Sequence, residues 1–216
     1  MIVEILVVTL AYTTPNKDTD TLARIQLIYD TVRNAQGLVT SRFYRGRGKS
    51  PCYAMLTTWE DEEAWQHAQE RHNPKQLLAS IQAQLLVSPP EQLFFTYLWG
   101  YSRPAAAPNL AAIHLATVQP EQAEIAQRGW LEGLRRQAAQ STVAFAFLAR
   151  GVYEQATTAS SAEAIQNRTQ GATFLNLVNW ATDRDREDFY ADPDYKAVHR
   201  FITSMGTMHI LSLEPL

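Results

Sequence analysis

The chain contains the same sequence pattern twice. Trp59 ends a strand-like segment and is followed by an acidic run, a helical stretch and Pro74. Trp180 also ends a strand-like segment, and an acidic stretch, a helical run and Pro193 follow it. Each block comes after a strand, a helix and a strand in the same order. An internal repeat constrains the fold strongly, because both copies must form the same supersecondary unit.

The first copy has the predicted element order βαββαβ. Alternation of β-branched and apolar residues predicts strands over 2–10, 38–45, 52–59 and 92–100. Apolar residues at helical spacing predict one helix over 18–35 and a second from Asp61, interrupted at Pro74. A Pro/Ala-rich stretch then separates the two copies. We therefore place a first ferredoxin-like repeat at 1–102 and a second at 109–216.

The second copy has the same order with one difference in length. Its strands are predicted over 110–118, 142–150, 172–180 and 207–213, and its helices from Pro120 and from Asp183. Residues 151–171 form an insert between the middle strands, where the first copy has a short turn. The run from Ser160 to Glu163 fits a capping box that could start a short helix in this insert. Such a long connection is either disordered or shapes a binding site.

A βαββαβ unit predicts a four-stranded antiparallel sheet with both helices on one face. The blocks that begin at Trp59 and Trp180 resemble those of antibiotic-biosynthesis-monooxygenase-type ferredoxin-like domains. Members of that group usually pair as homodimers whose sheets form an α+β barrel. The resemblance implies an α+β fold in which two ferredoxin-like βαββαβ repeats form an intrachain α+β barrel.

Charge and cysteine content exclude several classes of function. The 19 basic and 22 acidic side chains give a formal net charge of −3, so no electrostatic footprint for nucleic acid or an anionic membrane is present. Cys52 is the single cysteine, which excludes an intrachain disulfide and a Cys-rich metal site. No run of 18 apolar residues occurs. We expect a cytoplasmic monomer or homodimer that binds a small molecule, without nucleic-acid or membrane partners.

The two copies differ at three positions that are apolar in the first and polar in the second. Leu6, Met55 and Leu78 of the first copy correspond to His114, Asn176 and His199 of the second. His199 lies on the last helix, beside an inner stripe that includes Tyr195 and Val198. Histidine and asparagine are suited to proton transfer and to orienting a ligand. These three residues are the predicted catalytic group, with His199 as base or ligand and the other two as orienters.

Aromatic residues of the second copy could form the walls of such a site. The candidate substrate-binding residues are Phe145, Phe147, Trp180, Tyr190 and His209. The resemblance implies a monooxygenase-like oxidoreductase that acts on a small aromatic or quinol-type compound without metal or flavin. In such proteins the pocket holds an electron-rich substrate, assists its deprotonation and admits oxygen.

Two alternatives remain open from the sequence. His199 could ligate haem, since the segment from Asp194 to His199 resembles the ligand helix of haem-degrading relatives. Phe189 stands where those relatives have a Trp, which departs from their pattern. A second alternative is a non-catalytic small-molecule-binding or assembly module. No metal site is predicted, because the five-residue spacing of His67 and His72 does not place them on one helix face.

Overall fold

A computed structural model describes residues 4–14, 18–48, 52–81, 85–103, 108–139, 142–152 and 171–216. Most of the 151–171 insert, including the candidate capping box at Ser160–Glu163, lies outside the described residues. The chain divides into two compact units, which are described in turn.

The first unit contains Met1–Thr96 and Ser212–Leu216. Its strands are β1 (Ile5–Tyr12), β2 (Leu38–Gly46), β3 (Cys52–Trp59) and the start of β4 (Glu91–Ser102). Its helices are α1 (Asp18–Val32), α2 (Glu62–His72) and α3 (Pro74–Ala79). Strand β1 pairs antiparallel with β3 and with β4, and β2 pairs with the other edge of β3.

Local hydrogen bonds explain where the helices of this unit begin. The Asp61 carboxylate accepts from the amide of Ala64 at 2.8 Å and caps α2. The Asn73 side chain accepts from the amide of Lys75 at 2.9 Å, so a second helix starts at Pro74 after the first ends. The interruption predicted at Pro74 is therefore a boundary between two helices.

Leu6, Met55 and Leu78, the residues of the first copy matched to the predicted catalytic group, are each at most 2% exposed. The match of Leu6 with His114 is wrong. His114 pairs with Asn176, whereas Met55 pairs with Thr9, so strand register makes Thr9 the counterpart of His114. Thr9 is itself buried, at 1% exposed.

Trp59 is fully buried, and its indole N–H donates to the hydroxyl of Thr57 at 3.0 Å. The first repeat thus satisfies the indole donor of Trp59 internally.

The second unit contains Tyr97–Leu211. Its strands are the end of β4, β5 (Leu110–Val118), β6 (Phe145–Gly151), β7 (Ala172–Trp180) and most of β8 (Gly206–Pro215). A 3-10 turn at Pro120–Gln122 leads into α4 (Ala123–Ala138), and α5 (Asp183–Ala191) and α6 (Pro193–Thr203) follow β7. Strand β7 pairs antiparallel with both β5 and β6.

The helices of the second unit start at polar caps. Thr182 and Asp185 form a reciprocal capping box at the start of α5. The Asp192 carboxylate accepts from the amides of Asp194 and Tyr195 at 2.7 and 3.1 Å, which starts α6 directly after α5. The predicted inner stripe of α4 is buried at all four positions, Ala123, Ala126, Trp130 and Leu134.

The hydrogen-bonded strand order is β1-β3-β2-β8-β5-β7-β6-β4, and it closes as a barrel. The predicted fold class, α+β with two ferredoxin-like βαββαβ repeats in an intrachain barrel, is confirmed. The repeat boundaries at 1–102 and 109–216 stay a prediction. Among the described residues, no helix combines the length and the apolar character that a membrane span requires.

Candidate functional site

Two of the predicted catalytic residues lie opposite each other on neighbouring strands. His114 on β5 is in register with Asn176 on β7. They are 1% and 2% exposed, so both polar side chains are buried. The amide nitrogen of Asn176 donates to the backbone oxygen of Phe147 at 2.8 Å. That bond fixes the orientation of the Asn176 side chain beside the histidine.

Two tyrosines from the corner between α5 and α6 reach the same ring nitrogen. The hydroxyl oxygens of Tyr190 and Tyr195 each lie 3.4 Å from Nε2 of His114. Tyr190 lies in the last turn of α5 and Tyr195 in the first turn of α6, where the Asp192 cap starts the helix. The two rings meet edge to face, with centroids 4.9 Å apart. The corner thereby presents two phenol groups to one buried imidazole.

Burial controls the protonation of this group. It lowers the pKa of His114 to about 4, an effect to which the charge of His199 adds and which the Asn176 backbone opposes. Burial also raises the pKa of Tyr195 to about 12 and raises that of Tyr190 further. At neutral pH the imidazole is therefore uncharged and both phenols keep their protons.

A small cavity connects His114 to His199. Its volume is about 10 Å³, roughly the space that one water molecule needs. His199, which is half-buried on α6, lines this cavity with His114 and Asn176. The remaining lining residues are Trp130, Gln137, Phe189, Tyr195, Val198 and Met208. The three predicted catalytic residues thus meet at one cavity of the second unit.

Close packing of α4 on α6 forms one wall of the cavity. A Cβ atom added to Gly133 would overlap Cγ2 of Val198, and one added to Gly129 would overlap the ring of Phe201. The Nε atom of Arg136 lies 3.5 Å from the carboxylate of Asp194 across the same helix pair. The absence of side chains at both glycines lets the two helices approach, which brings the end of α4 to the histidines.

The predicted substrate-binding residues are distributed over several places. Trp180 is fully buried and its ring centroid lies 5.6 Å from that of Tyr190, so both pack beside the cavity. Phe147 is in register with Leu177, one residue from Asn176, and strand alternation therefore places it on the opposite face of the sheet. Phe145 shares that face and packs on Phe147. These two phenylalanines do not line the cavity.

His209 is exposed on β8 and is also absent from the cavity lining. It therefore lies apart from the three predicted catalytic residues, even though it belongs to the same unit. The cause is its outward position on the strand, which periodicity over a short segment did not reveal.

Tyr195 and Gln137 are cavity residues to which the sequence reasoning assigned no role. A signal for each was present. Tyr195 lies four residues before His199, which places both on one helix face. Gln137 continues the apolar stripe of α4, three residues after Leu134, and a polar residue in such a stripe is unusual.

The cavity is not preformed for a haem. Trp130, Phe189 and Tyr195 fill its walls, and the remaining volume is far below that of a porphyrin. Phe189 is 2% exposed and packs on Trp180 with centroids 5.1 Å apart, as a core side chain would. Among the described residues, no group of three or more His, Cys, Asp or Glu side chains could hold a metal ion.

Comparison with known proteins shows similarity in structure without detectable similarity in sequence. No family model and no curated protein sequence matches the chain. A solved anthrone oxidase-like protein is 12% identical with a TM-score of 0.75, covering 99% of this chain and 91% of that one. A protein from Fusobacterium nucleatum proposed to be a monooxygenase is 11% identical with a TM-score of 0.72, covering 100% and 93%.

A further solved structure is a ferredoxin-fold protein from Listeria monocytogenes, uncharacterized and related to antibiotic biosynthesis monooxygenases. It is 9% identical with a TM-score of 0.55, covering 100% of this chain and 96% of that one. Identities this low establish the fold and leave the chemistry to the site itself. The chain has the monooxygenase-like, ferredoxin-type α+β fold of these proteins over its full length.

Proposed function

We propose that the protein is a cofactor-independent, monooxygenase-like enzyme that acts on a small aromatic or quinol-type compound at the second-repeat cavity. The observation that carries the proposal is the meeting of His114, Asn176 and His199 at one cavity with aromatic walls. The fold similarity to an anthrone oxidase-like protein supports the same class of reaction.

The two histidines have different roles in this proposal. His199 is half-buried, so it can exchange protons with solvent while it faces the cavity, and it is the proposed base. His114 is a poor base, because protonating it at a pKa of about 4 instead of 6.5 costs about 3 kcal/mol. It serves as a neutral orienting group with Asn176.

For an anthrone-like substrate the reaction balances with oxygen as the sole oxidant. His199 takes a proton from the methylene carbon or its phenolic tautomer, which gives an electron-rich anion. This anion supplies electrons to O₂ and forms a bond between carbon and oxygen. The carbon goes from CH₂ to C=O and loses four electrons. One oxygen atom enters the product, and the other leaves as water with the two hydrogens.

A ring-sized substrate needs more room than the cavity of about 10 Å³ provides. The side chains of Phe189, Tyr190 and Tyr195 at the α5–α6 corner must therefore move apart when it binds. Displacement of a few side chains and a short connection is common on ligand binding.

The test is oxygen uptake with anthrone and with simple quinols as substrates. We expect turnover by the unmodified protein and a fall of roughly 100-fold or more in His199→Ala, the usual size for loss of a general base. His67→Ala is the matched control, because His67 is an exposed histidine on α2 in the other unit. Equal rates in the two variants, or no oxygen-dependent turnover with either substrate class, would contradict the proposal.

The same measurements separate the alternatives. Ligand binding without turnover would indicate the small-molecule-binding module. A Soret band after addition of hemin that disappears in His199→Ala would indicate a haem ligand. The proposed cofactor-independent function predicts that this band is absent.

A further inference from the structure

The polar residue Gln137 occupies a position where α4 should be apolar. It follows Ala126, Trp130 and Leu134 on the buried face of the helix and is itself 3% exposed. Its amide nitrogen has no hydrogen-bond partner among the described residues. Burying an amide without a partner is destabilising, whereas an apolar side chain of the same shape would avoid this penalty.

The surrounding packing keeps this amide at the cavity. Gly133 contacts Val198 one turn before Gln137, and Arg136 lies 3.5 Å from Asp194 directly beside it. The end of α4 is therefore held against the start of α6, and Gln137 lines the cavity together with His114 and His199.

A second unpartnered polar atom lies in the lining of the same cavity. Nδ1 of His114 makes no hydrogen bond of good geometry to any described residue, and the backbone of Asn176, which raises the pKa of His114, is a competing acceptor for the imidazole. Nε2 faces the hydroxyls of Tyr190 and Tyr195, and both phenols keep their protons because burial raises each pKa. A protonated phenol can donate to Nε2, which places the imidazole proton on Nδ1. Nδ1–H is then a second donor.

We propose that Gln137 Nε2 and His114 Nδ1 together bind an acceptor oxygen of the ligand, either a carbonyl or a phenolate. This inference rests on the proposed function, in that it takes the cavity as the ligand site. The cavity volume of about 10 Å³ matches one oxygen-sized group, so the oxygen fills it while the ring displaces the corner side chains.

Two N–H donors that bind one oxygen have a chemical consequence. They stabilise negative charge that develops on that oxygen when the substrate loses its proton, as in an oxyanion site. Substrates with an oxygen on the ring, such as anthrones and quinols, are thereby favoured over plain aromatic hydrocarbons. Gln137 is then a residue that determines substrate specificity. Neither the fold nor the positions of the histidines predict this role.

The test compares two ligands of nearly the same shape by equilibrium dialysis. Anthraquinone carries acceptor oxygens, and 9,10-dihydroanthracene has CH₂ groups in their place. We expect the protein to bind anthraquinone about tenfold more tightly, the effect of one or two hydrogen bonds. Gln137→Met keeps the unbranched shape without the donor, so it should bind anthraquinone roughly tenfold more weakly and dihydroanthracene unchanged.

Controls distinguish a ligand-binding role from a structural one. Gln76→Leu, at an exposed position on α3, should leave both affinities unchanged. Gln137→Met should melt at the same or a higher temperature without ligand, because it removes an unpartnered buried amide. A lower melting temperature, or equal preference for the two ligands in the unmodified protein and in Gln137→Met, would overturn the inference.

These binding measurements need no turnover. If anthraquinone is preferred through Gln137 but no oxygen is consumed, the proposed enzyme activity fails and the donor pair stands. If oxygen is consumed but the ligand preference is absent, the donor pair fails and the proposed activity stands.

Discussion

Replacing Gly133 with alanine tests the close contact between α4 and α6. The new Cβ would overlap Cγ2 of Val198, and would lie 3.4 Å from its Cβ. Val198 is 8% exposed and lies within α6, so it has little room to move away. Overpacking of this kind costs about 3 kcal/mol at the upper end of its usual range. The better helix propensity of alanine returns about 1 kcal/mol.

The net expectation for Gly133→Ala is a loss of about 2 kcal/mol in the free energy of unfolding. In a chain of this length that corresponds to a fall of about 4–8 °C in melting temperature. The assay is urea and thermal unfolding, followed by circular dichroism and by tryptophan fluorescence, to which Trp130 on the same helix contributes. Agreement of the two probes checks that a single transition is being measured.

A double variant makes the reasoning specific to this contact. Val198→Ala removes two methyl groups and should cost about 2 kcal/mol. In Gly133→Ala/Val198→Ala the alanine methyl occupies the vacated space, so the double variant should be more stable than Val198→Ala. The two effects must therefore be strongly non-additive. Additive effects, or a Gly133→Ala protein as stable as the unmodified one, would refute the close approach of the helices.

Three further predictions concern buried or capping groups of the second unit. Because the pKa of His114 is about 4 when folded and 6.5 when unfolded, the unfolded state binds the extra proton first as pH falls. Stability should therefore drop by about 3 kcal/mol between pH 6.5 and 4, and His114→Leu, measured by urea unfolding across that range, should lack this part of the loss. The indole nitrogen of Trp180 has no hydrogen-bond partner among the described residues. Val178→Thr would place a hydroxyl two residues before it and should stabilise the fold by about 1 kcal/mol; a lower melting temperature would show that the indole is satisfied in another way. Thr182→Ala removes the capping box of α5 and should cost about 1 kcal/mol, with Thr182→Ser close to unmodified in the same thermal assay.

The basis of the Val178→Thr prediction is a difference between the repeats. In the first repeat the Trp59 indole donates to Thr57 at 3.0 Å, and the Thr57 hydroxyl donates in turn to the backbone oxygen of Val7 at 3.3 Å. Val178 holds the position of Thr57 in the second repeat, so the substitution transfers that arrangement. The hydrogen bond seen in the first repeat thus indicates which substitution should satisfy the indole of the second.

Much of the fold was predictable because its signals are local. Strands predicted over 110–118 and 172–180 are observed as Leu110–Val118 and Ala172–Trp180. Alternation and helical spacing are properties of short segments, and so are the capping residues that start α2, α3, α5 and α6. The end of one helix was less accurate: the helix predicted over 18–35 ends at Val32.

The candidate site was predictable in part for the same reason. Comparison of the repeats selected His114, Asn176 and His199, and the structure places all three at one cavity. The match of Met55 with Asn176 holds, because both lie four residues before the tryptophan that ends their strand. The match of Leu6 with His114 does not hold, because strand register places Thr9 at the position of His114. The comparison selected only positions that are apolar in the first copy and His or Asn in the second, and it therefore gave no catalytic or binding role to Tyr195 or Gln137.

The sequence by itself determined the repeated unit, its element order and the selection of His114, Asn176 and His199 as candidate residues. The tertiary structure decided which groups face one another. The register of β5 with β7 sets His114 beside Asn176. The alternation of side chains along β6 turns Phe145 and Phe147 to the opposite face of the sheet. The approach of α4 to α6 at Gly133 brings Gln137 to the cavity. Convergence depends on strand register and helix spacing, which are set by packing between segments distant in the chain.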